Sequence, residues 1–283
     1  MMPTWRNLQL LWFLPIFLFS PGLSAPIRAQ QADSLTEVVR EVAERSVEKA
    51  RPGSGNERLN IRRRQDLEDL LSTLEPKKSA RDVYFYEIQS PPGTVSEAPL
   101  AWVVAVGRFT PDVYKVYSFL GAAGPNAPSQ EFNRFTSQLA LSMPEEKAIS
   151  LARLFLKSCI EGDGQEIVLN NEVELRLAVQ NYYLAAYGDL WRALDAYSRW
   201  WQGLQARALA LAPTVVGKNG RYRVVLHRLV TVVGKHPQVQ EWEFEISREG
   251  EVRVLAIRLI FPDQPRWLFY DLDVWSPIPS LTH

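Results

Sequence analysis

The fold is decided by three runs near the C-terminus: RYRVVLHRLVTVV at 221–233, VQEWEFEIS at 239–247 and VRVLAIRLIF at 252–261. In the middle run apolar residues alternate with acidic ones, which places Glu241, Glu243 and Glu245 together on one face of a strand. Short segments that contain glycine or proline, as turns do, separate the runs. The stretch predicts an antiparallel meander of three to four strands with one polar face, and residues 267–274 are the candidate for its last strand.

Long helices are predicted immediately before the meander. Between residues 189 and 211 apolar residues recur at alternating spacings of four and three, which is typical of one continuous helical face, and Pro213 ends the pattern. The segment 173–187 is ambiguous, because Leu175, Leu177 and Val179 alternate as in a strand. Its apolar pattern continues beyond the usual strand length, and we therefore expect a helix.

The N-terminal part of the chain contains shorter predicted elements. Apolar residues at helical spacing predict helices at 34–50, about 65–74 and about 144–158. Aromatic and β-branched residues predict strands at 83–88, 101–106 and 113–119. The middle one, AWVVAV, is a continuous apolar run, which indicates a central strand buried on both faces.

These elements together predict an α+β fold in two parts. Residues 30–160 form N-terminal helices with a small sheet of about three strands, and residues 161–283 form long helices packed on the antiparallel meander. The alternative to two parts is one continuous domain. With residues 1–29 set aside from the 283 of the chain, 254 remain, which is enough for either arrangement.

The first 29 residues have the pattern of a secretory signal peptide. Arg6 precedes a charge-free run, LQLLWFLPIFLF, and small and helix-breaking residues follow it. Cleavage after Ala25 would leave Pro26 at the new N-terminus, so we predict cleavage between Ala29 and Gln30. The alternative is an uncleaved anchor, but the apolar run is shorter than the ~20 residues of a spanning helix and contains Pro15.

Composition limits the class of partner. The whole chain has 32 basic and 32 acidic residues, and loss of the two arginines of the leader leaves a formal charge of −2. Nucleic acid is not expected as a partner, because neutralising phosphates requires an excess of basic residues. No second segment is apolar enough to span a membrane, so we expect a soluble exported protein, periplasmic or extracellular.

Catalytic, cofactor and metal sites are not predicted. The sequence has no nucleotide-binding glycine motif, no nucleophile elbow and no zinc-binding histidine pair. The single cysteine, Cys159, excludes an intrachain disulfide and is interpreted as a buried small apolar residue. Three consecutive arginines at 62–64 allow an anion-binding patch, although a solvated helix start is the favoured interpretation.

Carboxylates supply the only catalytic hypothesis. Glycoside hydrolysis uses a pair of them, and Asp271 and Asp273 share a face of the predicted last strand, as the three glutamates do on theirs. A row of acids on the outer face of a sheet is also what a solvated face contains. Arg253 and Arg258 on the neighbouring strand are expected to pair with some of these glutamates.

Aromatic residues form the densest chemical signal, and they concentrate between residues 182 and 201. Aromatic surfaces bind glycans and protein partners, but aromatic residues also fill cores. Trp200 and Trp201 point about 100° apart around a helix, so both are buried only where the helix is covered over a wide arc. We predict a binding surface at Tyr187, Trp191 and Trp200.

The sequence therefore favours a non-catalytic exported protein, an envelope or secreted binding or assembly module for a protein or glycan partner. The alternative is a hydrolase that acts on envelope or extracellular material through acidic residues. Two convergent carboxylates about 5–9 Å apart would favour the hydrolase. A shallow aromatic surface would favour the binding module.

Overall fold

The structure is a computed structural model, and it describes residues 27–28, 35–50, 59–76, 82–90, 100–110, 113–119, 127–158, 165–206, 210–232 and 234–262. Within these ranges the chain forms six helices and two antiparallel sheets. The predicted α+β class is confirmed. Ala29, Gln30, Cys159, Asp271 and Asp273 lie outside the described residues, so the predictions made for them stay predictions.

The first sheet has the strand order β1-β5-β4-β3-β2. Its strands are β1 (Ile27–Arg28), β2 (Asn60–Arg63), β3 (Val83–Ser90), β4 (Leu100–Thr110) and β5 (Val113–Ser118). Residues 102–106 of the central strand β4 are fully buried, which confirms the prediction of a strand covered on both faces. The sequence indicated about three strands here; β1 and β2 add an edge strand on each side.

Helices cover both faces of this sheet. The helices are α1 (Leu35–Ala50), α2 (Gln65–Ser72), α3 (Ala127–Leu139) and α4 (Glu145–Ser158). On one face, Val39 and Ala43 of α1 pack with Trp102 and Val104. On the other face, α2, α3 and α4 pack with Phe85, Val103 and Ala105. The alternation of β4 therefore sends successive side chains into two different cores.

The second sheet has the strand order β10-β9-β8-β6, and β7 also pairs with β8. Its strands are β6 (Gln165–Leu169), β7 (Thr214–Lys218), β8 (Arg221–Thr231), β9 (Gln238–Ser247) and β10 (Val252–Phe261). Strands β8, β9 and β10 are the predicted meander. The strand β8 is long enough that β7 pairs with residues 221–225 and β6 with residues 227–231 along the same side.

The two sheets share a core. Helix α4 contacts strands of both sheets, and one buried cluster includes Phe85 of the first sheet, Phe155 of α4 and Phe244 of the second. The ring of Phe155 lies edge-on to that of Phe244, with centroids 5.6 Å apart. The predicted division at residue 160 stays a prediction.

A pair of helices covers part of the opposite face of the second sheet. They are α5 (Glu172–Tyr187) and α6 (Leu190–Gln205), joined by Gly188 and Asp189. The ambiguous segment 173–187 is thus helical, as expected. The helix predicted to reach residue 211 ends at Gln205, but Leu211 still packs in the same core as Leu204. Leu211 therefore matches the apolar spacing because it is buried, although it lies beyond the end of the helix.

The N-terminal strand bears on the predicted cleavage. Ile27 and Arg28 pair with Tyr114 and Val113 of β5. Cleavage after Ala29 would remove this two-residue strand and leave β5 as the edge of the sheet. Of the helices that the structure describes, none is long and apolar enough to cross a membrane.

Candidate functional site

The candidate site is the hairpin of α5 and α6, whose ends are fixed by capping residues. Asn171 accepts a hydrogen bond from the backbone N–H of Glu174 and so starts α5. Gly188 ends α5 in the left-handed conformation with a φ of 63°. Asp189 then accepts a hydrogen bond from the backbone N–H of Arg192 and starts α6. Two consecutive residues thus end one helix and begin the next.

Aromatic side chains of the hairpin hold the connection between β8 and β9. The hydroxyl of Tyr182 lies 2.7 Å from the carbonyl of Val232 and 2.6 Å from that of Lys235. The hydroxyl of Tyr183 lies 2.6 Å from Nδ1 of His236. These contacts join the hairpin to a turn about fifty residues later in the chain, which sequence periodicity does not reveal.

Trp200 belongs to the same group of contacts. Its indole Nε1 donates a hydrogen bond of 2.9 Å to the carbonyl of Pro237, and the side chain is only 5% exposed. Its ring also lies edge-on to Phe261, with centroids 5.3 Å apart. Trp201 is 8% exposed, so the helix is covered over the wide arc that burial of both tryptophans requires.

The other two residues of the predicted surface lie together at the end of the hairpin. Trp191 is 79% exposed, and the adjacent Leu190 is 56% exposed. Tyr187, at the end of α5, is half-buried and stacks on Tyr183 with ring centroids 6.1 Å apart. We call Tyr187, Leu190 and Trp191 the hairpin tip. Trp200 lies nine residues along α6, about 14 Å from Trp191 along the helix axis, and it is not part of this surface.

The glutamates of β9 do share one face, and arginines neutralise them. Arg258 contacts Glu241 at 2.5 Å and Glu243 at 3.2 Å. Arg223 contacts Glu243 at 2.6 Å, and Arg221 contacts Glu245 at 2.5 Å. The hydrogen bond from Arg223 is the main cause that lowers the pKa of Glu243, and Arg258 adds to it. The expected pairing of Arg258 is present.

His227 lies beside this ladder of charges. Its Nε2 is 3.6 Å from a carboxylate oxygen of Glu241, and its side chain is 5% exposed. Burial lowers the pKa of His227 and outweighs the attraction to Glu241 that would raise it. The imidazole is therefore neutral near neutral pH. Within the described ranges no three histidine, cysteine or acidic residues are placed to hold a metal ion.

Arg63 and Arg64, two of the three consecutive arginines at 62–64, contact protein carboxylates. Arg63 lies 2.6 Å from Glu68, and Arg64 lies 2.8 Å from Asp66 and 3.0 Å from Glu87. The hydrogen bond from Arg64 lowers the pKa of Asp66 to about 2. The favoured interpretation was a solvated helix start, but Arg62 and Arg63 lie in strand β2, and the side chain of Arg64, just before α2, is only 17% exposed.

No protein-family model, curated protein or solved structure matches this chain.

Proposed function

We propose that this protein is an exported, non-catalytic binding or assembly module of the envelope or the extracellular space, and that its hairpin tip contacts a protein or glycan partner. The observation that carries the proposal is the exposure of Trp191, at 79%, beside Leu190 at 56%. Large aromatic side chains that remain in water before binding gain most from burial in a partner, and tryptophan is enriched at such positions.

The construction of the hairpin supports this proposal. Its other large aromatic side chains pack inward or hold the connection between β8 and β9, as Tyr183 and Trp200 do. Trp191 contributes to neither role, because its side chain projects from the first turn of α6. The anchored hairpin therefore presents Trp191 as its one exposed aromatic side chain, beside the half-buried Tyr187, and a preformed surface limits the conformational entropy lost on binding.

The electrostatics of the sheet favour binding over hydrolysis. A general acid needs a carboxyl group with a raised pKa, so that it holds a proton near neutral pH. The pKa of Glu243 is instead lowered by Arg223 and Arg258. Export is supported by the order of charge, apolar run and small residues in the first 29 residues, as in a signal peptide.

The test is retention of the purified chain 30–283 by the envelope fraction of its source cells. We expect saturable binding, with Trp191→Ala at least roughly 30-fold weaker, since loss of a hot-spot tryptophan costs about 2 kcal/mol or more. Val216→Ala is the matched control, because Val216 is 65% exposed on β7. Equal retention of the two variants would reject the hairpin tip, and hydrolysis of envelope glycans by the chain would favour the alternative.

A further inference from the structure

The first strand of the fold overlaps the end of the predicted leader. Strand β1 pairs antiparallel with β5, with Ile27 opposite Tyr114 and Arg28 opposite Val113. It is the outermost strand of the first sheet, so its backbone covers part of the edge of β5. A strand that belongs to the mature fold has to lie on the C-terminal side of the cleaved bond. Cleavage after Ala29, the site expected from the sequence, would discard it.

The chain that follows β1 is part of the same folded body. Residues 29–34 lead from β1 to α1, where Val39 is fully buried in the core that contains Trp102. Tyr114, the residue opposite Ile27, packs against that core. Loss of β1 would leave the backbone of β5 unpaired beside this core, and an unpaired edge strand is a template for association. The fold therefore favours a leader that ends before Ile27.

The two cleavage points expected from the sequence also fit the preference of signal peptidases poorly. The cleaved bond usually follows a small residue that has a second small residue two positions before it, as in Ala-x-Ala. For cleavage after Ala29 that earlier residue is Ile27, and for cleavage after Ala25 it is Leu23. Cleavage after Ala25 also leaves Pro26 at the new N-terminus. Neither point therefore has the pair of small residues.

Gly22 and Ser24 supply such a pair. They lie two positions apart, and Ser24 comes five residues after Phe19, the last residue of the charge-free run. Cleavage between Ser24 and Ala25 places Pro26 second in the new chain, so the cleaved bond itself does not involve proline. These residues lie outside the described ranges, and it is their size and order that select the bond.

We propose that the leader is cleaved between Ser24 and Ala25, so that the exported protein keeps β1 as an edge strand of its first sheet. The reaction is hydrolysis of one peptide bond: water supplies the hydroxyl that completes the carboxyl group of Ser24 and the proton that completes the amino group of Ala25. This inference rests on the proposed export of the protein. It leaves the proposed contact surface unchanged, because the hairpin covers the second sheet and β1 belongs to the first.

The test is the intact mass of the protein recovered from its source cells after expression of the full chain. We expect one species that begins at Ala25 and is five residues longer than a chain beginning at Gln30. A species beginning at Pro26, at Gln30 or at Leu23, which follows a second small pair, would overturn the proposed site while export stands. Recovery of the uncleaved chain from the cytoplasmic fraction would overturn the proposed export as well, so the two failures are distinguishable.

Two matched variants identify the cleaved bond independently. Ser24→Gln puts a large side chain next to the proposed bond, and we expect at least roughly tenfold more uncleaved chain than in the parent, because the preceding residue has to be small. Ala29→Gln makes the same kind of change at the other candidate site and should be processed as the parent is. The reverse pattern, with processing blocked only in Ala29→Gln, would show that the leader ends at Ala29.

The place of β1 in the mature fold has its own measurement. Amides of a strand point alternately to its two sides, so one of the amides of Val113 and Tyr114 faces β1. We expect hydrogen exchange at that amide to be at least about tenfold slower in chain 25–283 than in chain 30–283. The amide of Phe244, on the second sheet, is the control and should exchange equally in both chains. Equal exchange at Val113 and Tyr114 in the two chains would overturn the assignment of β1 to the mature fold.

Discussion

At the scale of single residues, the charged face of the second sheet shows how a row of acids is kept without repulsion. Glu243 has an exposed side-chain fraction of only 6%, and arginines on both neighbouring strands contact it. The negative charge of Glu243 is therefore compensated by Arg223 and Arg258, whose side chains are exposed to solvent. The alternation of glutamate in the sequence indicated that the acids share this face. The pairing of the strands then brings an arginine into contact with each acid.

The burial of His227 predicts that the stability of the fold depends on pH. Its folded pKa lies below the ordinary value because burial disfavours the charged form, and Glu241, the acid beside it, only partly opposes this. The unfolded chain therefore binds the proton more readily, and stability should fall as pH decreases below about 6.5.

We expect His227→Gln to remove part of that loss when urea midpoints are compared at pH 7.5 and pH 5.5. His283→Gln, which changes the last residue of the chain, is the control and should keep the parent's pH dependence. An unchanged pH dependence in His227→Gln would mean that the imidazole is not the titrating group.

At the scale of elements, Gly188 tests how the hairpin is built. Its φ of 63° favours glycine, and no atom lies within 4 Å of the position where a Cβ would stand. The cost of Gly188→Ala is therefore backbone strain alone, and we expect a loss of about 1 kcal/mol in the free energy of unfolding. Gly188→Asn should lose less, because asparagine tolerates the left-handed region. Equal losses in urea denaturation would contradict this explanation.

Sequence predicted the elements whose own pattern carries the signal. The meander, the run at 101–106 and the helix at 65–74 all have apolar residues at the period of their structure, and each forms close to where it was expected. The strands β2 and β7 were not predicted, because they are mostly exposed and lack an apolar alternation. They form strands because they pair by backbone hydrogen bonds with β3 and β8, respectively.

The candidate site was only partly predictable for a similar reason. Helical periodicity indicated that Trp200 and Trp201 point in different directions, but it did not say what covers Trp200. The cover comes from Pro237 and Phe261, both remote in sequence. Tyr187 and Trp191 lie at the same end of the hairpin because α5 ends and α6 begins at Gly188 and Asp189, between them. That junction has a local signal in the glycine and the capping aspartate.

At the scale of the whole molecule, helices and sheets alternate in layers. Helix α1 covers one side of the first sheet, α3 and α4 lie between the sheets, and the hairpin of α5 and α6 forms the outer layer on the second sheet. The hairpin tip is therefore presented by an element that is anchored to the body through Tyr182, Tyr183 and Trp200. This placement is what the proposed binding function requires.

The most direct test of the central claim is photo-cross-linking in the source cells, with p-benzoylphenylalanine in place of Trp191. Its benzophenone reacts with nearby C–H bonds, so it captures either a protein or a glycan. The proposed function predicts a discrete adduct from position 191 of the exported chain and none from the same residue placed at Val216. Absence of an adduct at position 191, or equal adducts at both positions, would contradict binding through the hairpin tip.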